Sequence, residues 1–69
     1  MTREYFNNRY AKRCEKIKEY ATAGKLTDAQ RIWGRICELC EIAQELGTLN
    51  RQEYSAHIKQ AEDCFYNSL

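Results

Sequence analysis

The stretches GKLTDAQ, residues 24–30, and GTLNRQE, residues 47–53, decide the fold of this chain. Both follow the pattern Gly-x-Leu-(Thr/Asn)-x-x-(Gln/Glu). Glycine closes a helix in the left-handed conformation, and Thr or Asn followed three residues later by Gln or Glu is the capping box that begins a helix. Each stretch therefore predicts the end of one helix and the start of the next, which divides the chain into three helices.

The two stretches also predict where the helices begin and end. Thr27 with Gln30, and Asn50 with Glu53, are the expected capping pairs, and Leu49 precedes the second pair at the position of a hydrophobic staple. The chain has no proline to interrupt the segments between them. We predict a single domain over residues 1–69, with helices at about 3–23, 28–46 and 51–67.

Apolar residues recur at three-four spacing in each predicted helix, which is typical of amphipathic helices. The second helix has the widest apolar stripe, so we expect it to lie between the other two. Short connections favour antiparallel neighbours, and the predicted fold class is all-α, an antiparallel up-down-up three-helix bundle. A chain of 69 residues buries little apolar surface, so a homodimer is a further expectation. The predicted core consists of Phe6, Tyr10, Cys14, Ile17, Tyr20 and Ala21; Ala29, Ile32, Trp33, Ile36, Leu39, Cys40, Ala43 and Leu46; and Tyr54, Ile58, Ala61, Phe65 and Leu69.

The net charge of +1 conceals an asymmetry between the two ends of the chain. Residues 1–25 carry seven basic and three acidic side chains, whereas the remainder carries four basic and seven acidic ones. If the first two helices fold back on each other, residues whose numbers add to about fifty lie level. We therefore expect exposed ion pairs, each contributing ~0 to 1 kcal/mol. The expected pairs are Arg3 with Glu45, Arg9 with Glu41, and Arg13 with Glu38.

The basic first helix also supports an alternative function, the binding of nucleic acid. Clustered Lys and Arg with neighbouring tyrosines form the electrostatic footprint of such proteins, and the binding residues would be Arg9, Lys12, Arg13 and Lys16. A helix-turn-helix protein would place a basic recognition helix at the third position, but the third helix here has more acidic than basic residues. The charge pattern thus favours protein partners over nucleic acid.

Four cysteines raise the question of a metal site. If neighbouring helices fold back on each other, Cys14 lies opposite Cys37, and His57 lies level with Cys40. The pair Cys37-x-x-Cys40 also has the spacing of a zinc knuckle. A helical C-x-x-C pair splays its thiols apart, however, and cysteine is often buried as a small apolar residue. We expect reduced thiols and no cofactor, with a zinc site at Cys14, Cys37, Cys40 and His57 as the alternative.

The sequence lacks the parts of a catalytic site. It has one histidine, no glycine-rich phosphate loop and no nucleophile elbow, so we expect no enzymatic activity. It also has no apolar stretch long enough to span a bilayer and no signal-peptide h-region. We therefore expect a cytoplasmic protein that does not associate with membranes.

Gly34 is an anomaly in the middle of the most regular helix, on the side away from its apolar stripe. Glycine there costs ~1 kcal/mol relative to alanine, which suggests that a partner approaches the backbone closely. Aromatic and arginine side chains beside small residues are typical of interface hot spots. The sequence predicts a partner-binding surface formed by Gln30, Arg31, Trp33, Gly34, Arg35, Cys37 and Glu41.

One segment has the pattern Tyr20-x3-Gly24-x-Leu26-x2-Ala29-x3-Trp33-x2-Ile36. It resembles the turn and following helix of a tetratricopeptide repeat, a helical hairpin that binds peptides or proteins. The chain departs from that repeat at Arg13 and Lys16, where the repeat has large apolar residues, and at Gln52, where it has a small one. No proline follows Leu39, and such repeats need about three copies to bury their faces. We assign the chain to no family.

These observations together predict a small non-catalytic protein-interaction module, such as an adaptor, an inhibitor or a regulatory protein. Compact proteins of this kind are common in phages and mobile elements, and we take such an origin as an expectation. The expected partner is another protein or a second copy of the chain.

Overall fold

The computed structural model describes all 69 residues and contains three α-helices and no strands. Helix α1 spans Arg3–Thr22, α2 spans Leu26–Glu45 and α3 spans Arg51–Asn67. Each helix contacts the other two, and the contact between α1 and α2 is the largest. The molecule measures 35 × 19 × 15 Å, and the long dimension is close to the ~30 Å length of a 20-residue helix. The predicted all-α, three-helix fold is confirmed.

Both predicted helix stops are present. Gly24 and Gly47 each have a φ of +77°, the left-handed conformation that glycine adopts without a steric penalty. At the second stop, the Thr48 N–H donates to the Ala43 carbonyl at 2.8 Å and the Gly47 N–H donates to the Gln44 carbonyl at 3.0 Å. This is the Schellman arrangement, which satisfies carbonyls that would otherwise lack partners at the helix end.

The start of α3 matches its predicted capping box. The Asn50 side chain accepts from the Glu53 N–H at 2.8 Å, and the Glu53 carboxylate accepts from the Asn50 N–H at 3.0 Å. Leu49, just before this box, is 2% exposed and closes the end of the core. The bounds of α3 are those expected from the sequence.

The start of α2 differs from the prediction, because the helix begins two residues earlier, at Leu26. Its N-cap residue is Lys25, no side chain caps the helix, and the expected pairing of Thr27 with Gln30 is therefore wrong. The Lys25 carbonyl already accepts from the Ala29 N–H at 3.0 Å, so Thr27 lies inside the first turn. The ends of α1 and α2 each fall one residue before the expected position.

The core consists of eleven buried residues, none of them charged. Nine expected core residues lie outside it. Leu46 is 62% exposed and Leu69 is 66% exposed, whereas the other seven are half-buried: Cys14, Tyr20, Ile32, Trp33, Tyr54, Ile58 and Phe65. Leu46 is the C-cap of α2, where the chain turns towards α3, and Leu69 follows the end of α3. The buried residues are Phe6, Tyr10, Ile17, Ala21, Ala29, Ile36, Leu39, Cys40, Ala43, Leu49 and Ala61.

An aromatic and polar cluster joins α1 to α3. The Tyr10 hydroxyl donates to the His57 carbonyl at 2.8 Å and lies 3.0 Å from the Gln60 side-chain oxygen. The Phe6 and Tyr10 rings both meet the His57 ring edge-on, with centroids 5.1 and 4.8 Å away. These contacts hold the two helices at one register.

Substituting Ile36 tests the position of the core. Ile36→Ala should lower the free energy of unfolding by ~2 to 5 kcal/mol, because this side chain is fully buried and its removal leaves a cavity. Ile42→Ala is the matched control on the same helix, since Ile42 is 40% exposed, and it should cost less than ~1 kcal/mol. Urea unfolding followed by circular dichroism measures both values, and equal losses would contradict the assigned core.

Candidate functional site

An open groove lies between α2 and α3. Its walls are Gln30 and Trp33 from α2 and Phe65 and Tyr66 from α3, and its volume is about 300 Å³. Three of the four lining residues are aromatic, and the groove is the only cavity in the structure. We call it the Trp33 groove.

The walls of the Trp33 groove combine packed and exposed aromatic rings. Trp33 and Phe65 are half-buried and pack against the core, whereas Tyr66 is 61% exposed. The Phe65 and Tyr66 rings meet edge-on with centroids 5.3 Å apart. Leu26, one turn before Gln30, is also exposed. The groove therefore has an anchored floor and an apolar rim that faces solvent.

The predicted partner-binding surface divides between the groove and the outer face of α2. Gln30 and Trp33 line the groove, and Cys37 is half-buried. The other predicted residues, Arg31, Gly34, Arg35 and Glu41, are exposed on α2.

Gly34 faces open space. A Cβ built on it would have no heavy atom within 4 Å. No packing within the chain therefore requires a glycine at this position.

The α3 side of the groove was not part of the predicted surface. Phe65 is an expected core residue, and the predicted surface does not include Tyr66. The sequence does contain a signal for both residues. The matching of residue numbers that places His57 level with Cys40 also places Trp33 level with the C-terminal end of α3, where Phe65 and Tyr66 lie. Two consecutive aromatic residues of one helix cannot both point into the core of the bundle, because successive side chains are rotated about 100° around the helix axis.

The expected ion pairs between α1 and α2 are wrong. The structure has two ion pairs, Arg3 with Glu53 and, within α1, Lys16 with Glu19 at 3.6 Å. Neither involves the carboxylates expected from α2, which are Glu38, Glu41 and Glu45.

The α1 cations have other partners. Arg13 donates to the Arg35 carbonyl at 3.1 Å, and the Arg9 guanidinium lies over the Tyr5 ring, 5.2 Å from its centroid. The expected pairs are wrong because they are based on residue numbers that add to about fifty. Such a match gives the position of a side chain along the helix axis but not its direction around that axis. Glu38, Glu41 and Glu45 repeat at the spacing of one helix face, and all three are exposed.

Arg3 instead links the start of α1 to the turn between α2 and α3. Its guanidinium donates to the Thr48 carbonyl at 2.8 Å and to the Glu53 carboxylate. The Arg3 guanidinium and the Asn50 N–H lower the pKa of Glu53 to about 2. This link lies where α2 ends and α3 begins, whereas the first half of α2 and the last turn of α3 line the groove.

The structure does not bring the four candidate zinc ligands together. No group of three or more His, Cys, Asp or Glu side chains is arranged to hold a metal ion. His57 Nδ1 donates to the Glu53 carbonyl at 2.8 Å, and its ring packs against Phe6 and Tyr10. Cys40 is fully buried, and burial raises the pKa of its thiol to about 11.

The chain matches no protein-family model, and no curated protein or solved structure is significantly similar to it. No helix has the combined length and apolar character needed to cross a bilayer. The Trp33 groove and the outer face of α2 are therefore the candidate functional surfaces of the molecule.

Replacing Gly34 with alanine tests whether this position faces solvent in the isolated chain. Gly34→Ala should raise the free energy of unfolding by ~1 kcal/mol, because alanine is the better helix former and its methyl group meets no other atom. Gly47→Ala is the matched control and should lower stability by ~1 to 2 kcal/mol, because its φ is +77°. Thermal unfolding measures both changes. A loss of stability in Gly34→Ala would mean that α2 is packed differently.

Proposed function

We propose that this chain is a non-catalytic helical protein-interaction module, acting as an adaptor, inhibitor or regulatory protein. The observation that carries the proposal is the Trp33 groove, an apolar cleft that the chain's own side chains leave unfilled. Tryptophan and tyrosine are enriched at interface hot spots, because they bury a large area and have few rotatable bonds. Exposed Tyr66 beside half-buried Trp33 has this composition.

The size of the groove limits what enters it. A volume of about 300 Å³ holds one or two large side chains rather than a folded segment. A partner would therefore insert an apolar anchor into the groove and spread its remaining contacts along α2. An amphipathic helix that presents anchors at i, i+3 and i+4 binds grooves in this way.

The outer face of α2 supports such a contact. Gly34 gives the helix a low point where a partner backbone can approach, and Arg31 and Arg35 are exposed beside it. Gln30 stands between this face and the groove, and it offers both hydrogen-bond donors and acceptors. Together they form a polar border along the α2 side of the apolar groove, and polar residues beside an apolar centre are the usual anatomy of a protein interface.

The proposal includes the up-down-up antiparallel order of the helices. It is supported by the contacts of α1, since Arg3 reaches Thr48 and Glu53 while Tyr10 reaches Gln60. The earlier residue of α1 contacts the start of α3, and the later residue of α1 contacts a later position of α3. This order is the one expected if the two outer helices are parallel. In this order the start of α2 runs beside the end of α3, and both supply walls of the groove.

A homodimer through the same surface is one form of this function. A chain of 69 residues has a small core, and the exposed apolar residues Leu26, Tyr66 and Leu69 would gain cover from a second copy. We also propose a cytoplasmic location, where reducing conditions would keep the four cysteines as thiols until an oxidant such as oxidised glutathione accumulates.

The groove is tested by Tyr66→Ala, with Tyr5→Ala as the matched control on α1. Both tyrosines are exposed, so neither change should affect folding, but only Tyr66 lines the groove. A displayed library of helical peptides is selected against the wild-type chain, and binding is followed by the fluorescence of Trp33, the only tryptophan. Tyr66→Ala should raise Kd at least ~10-fold, equivalent to ~1.4 kcal/mol, and Tyr5→Ala should leave it within ~2-fold.

Three outcomes are informative. Equal affinity of Tyr66→Ala and wild type, or a selection that yields no binder, would count against the groove as the binding site. A wild-type dimer in native mass spectrometry that Tyr66→Ala converts to monomer would identify the second copy as the occupant.

The alternative function, nucleic-acid binding through Arg9, Lys12, Arg13 and Lys16, is favoured by one observation. Arg9 and Lys12 form no ion pair, so part of the basic face of α1 is free to meet phosphates. Titration of a labelled duplex at low salt separates the two functions. Affinity that falls steeply with added salt and is weakened by Arg9→Ala would support the alternative, whereas we expect no binding.

A further inference from the structure

Cys14 on α1 and Cys64 on α3 lie level with each other, one helical turn beyond the contact between Tyr10 and Gln60. Two contacts define the register of these helices, Arg3 with Glu53 and Tyr10 with Gln60, and each joins residues 50 positions apart. Cys14 and Cys64 have the same separation, and each lies one helical turn beyond the Tyr10–Gln60 contact. The register therefore sets the two cysteines level with each other.

The side chains around these thiols support the same assignment. Burial raises the pKa of the Cys14 thiol, the Tyr10 hydroxyl partly offsets this rise, and the neighbouring Cys64 thiol adds to it. The Tyr10 hydroxyl also lies close enough to Cys14 to influence its titration. Tyr10, Cys14 and Cys64 thus form one cluster on the α1–α3 boundary.

The other two cysteines are poorer partners for Cys14. Cys40 is fully buried, so a reagent in solution cannot reach it. Cys37 lies on α2, whereas the side chains that shift the pKa of Cys14 include Tyr10 and Cys64. Cys14 and Cys64 are both free and half-buried, which leaves them open to small molecules.

We propose that Cys14 and Cys64 form a reversible intramolecular disulfide by exchange with a low-molecular-weight disulfide such as oxidised glutathione. The Cys64 thiolate attacks one sulfur of the small disulfide, whose S–S bond breaks, and one glutathione leaves as a thiolate and takes up a proton. Cys14, after losing its proton, attacks the Cys64 sulfur of the mixed disulfide and expels the second glutathione. The protein loses two electrons and two protons, and the small disulfide gains them as two thiols.

The bond would tie α1 to α3 across most of the chain. Cross-linking distant residues restricts the unfolded chain, so the oxidised protein should melt ~10 °C or more above the reduced one. Phe65 and Tyr66 directly follow Cys64, so the bond would also hold the α3 wall of the Trp33 groove. Formation of this disulfide does not depend on what binds the groove.

Peptide mapping tests the assignment directly, because trypsin separates the two cysteines from the others. Cys14 falls in the peptide of residues 14–16 and Cys64 in that of residues 60–69, whereas Cys37 and Cys40 share the peptide of residues 36–51. The folded, reduced, full-length chain is treated with oxidised glutathione, remaining thiols are alkylated, and the digest is analysed without reduction. We expect the peptides 14–16 and 60–69 to be joined and to separate after reduction.

Two variants sharpen the test. Cys37→Ser should form the disulfide as the wild type does. Cys64→Ser should form no intramolecular bond and show no oxidation-dependent rise in melting temperature, while its circular dichroism in the reduced state matches the wild type. A disulfide to peptide 36–51, one between chains, or none in the folded protein would overturn the proposal. Equal melting temperatures of the oxidised and reduced wild type would also overturn it.

Discussion

The structure depends on one buried hydroxyl group. Tyr10 is 8% exposed, and a buried hydroxyl without a partner costs about 1 to 3 kcal/mol, so it must meet an acceptor on the neighbouring helix. It does so at the His57 carbonyl, where the Phe6 and Tyr10 rings also enclose the His57 ring. A shift of α3 by one turn would separate the hydroxyl from its acceptor and the three rings from one another. Apolar packing alone tolerates several registers, whereas this cluster selects one.

The register of α1 and α3 has consequences at both ends of the molecule. At one end it brings Arg3 to Glu53, which is already held by the Asn50 capping box. At the other end it sets Cys14 beside Cys64 and leaves the last turn of α3 against the first half of α2. There the large rings of Trp33 and Phe65 stand across from each other, and the chain has no further side chain to fill the space between the helices. The groove is thus a product of the same packing that forms the core.

Local features of the sequence were the most reliable guides to the structure. The left-handed glycines, the Asn50–Glu53 box and the apolar stripes each depend on residues a few positions apart, and they correctly gave the number of helices and most of the core. The first capping pair failed because the Lys25 carbonyl was already in the helical hydrogen-bond pattern, a backbone property that residue types alone do not reveal.

Inferences across helices were less accurate, for a geometric reason. Pairing residues by number finds the level of a side chain along a helix but not its direction around the axis. Arg13 and Glu38 are level, yet Arg13 reaches the Arg35 carbonyl instead. Cys14, matched to Cys37 by level, lies one turn after Tyr10 on the side of α1 that contacts α3. The candidate site was found in part, because Gln30 and Trp33 lie on the predicted helix face, while Phe65 and Tyr66 required the packing of α3.

The register of α1 against α3 is the central claim, and nuclear Overhauser effects in the NMR spectrum of the reduced chain test it most directly. We predict cross-peaks from the His57 ring protons to the rings of both Phe6 and Tyr10, whose centroids lie 5.1 and 4.8 Å away. If His57 showed no contact with either ring, and Tyr10 contacted residues one turn earlier or later on α3, the register would be wrong. The proposed pairing of Cys14 with Cys64 would then be wrong as well.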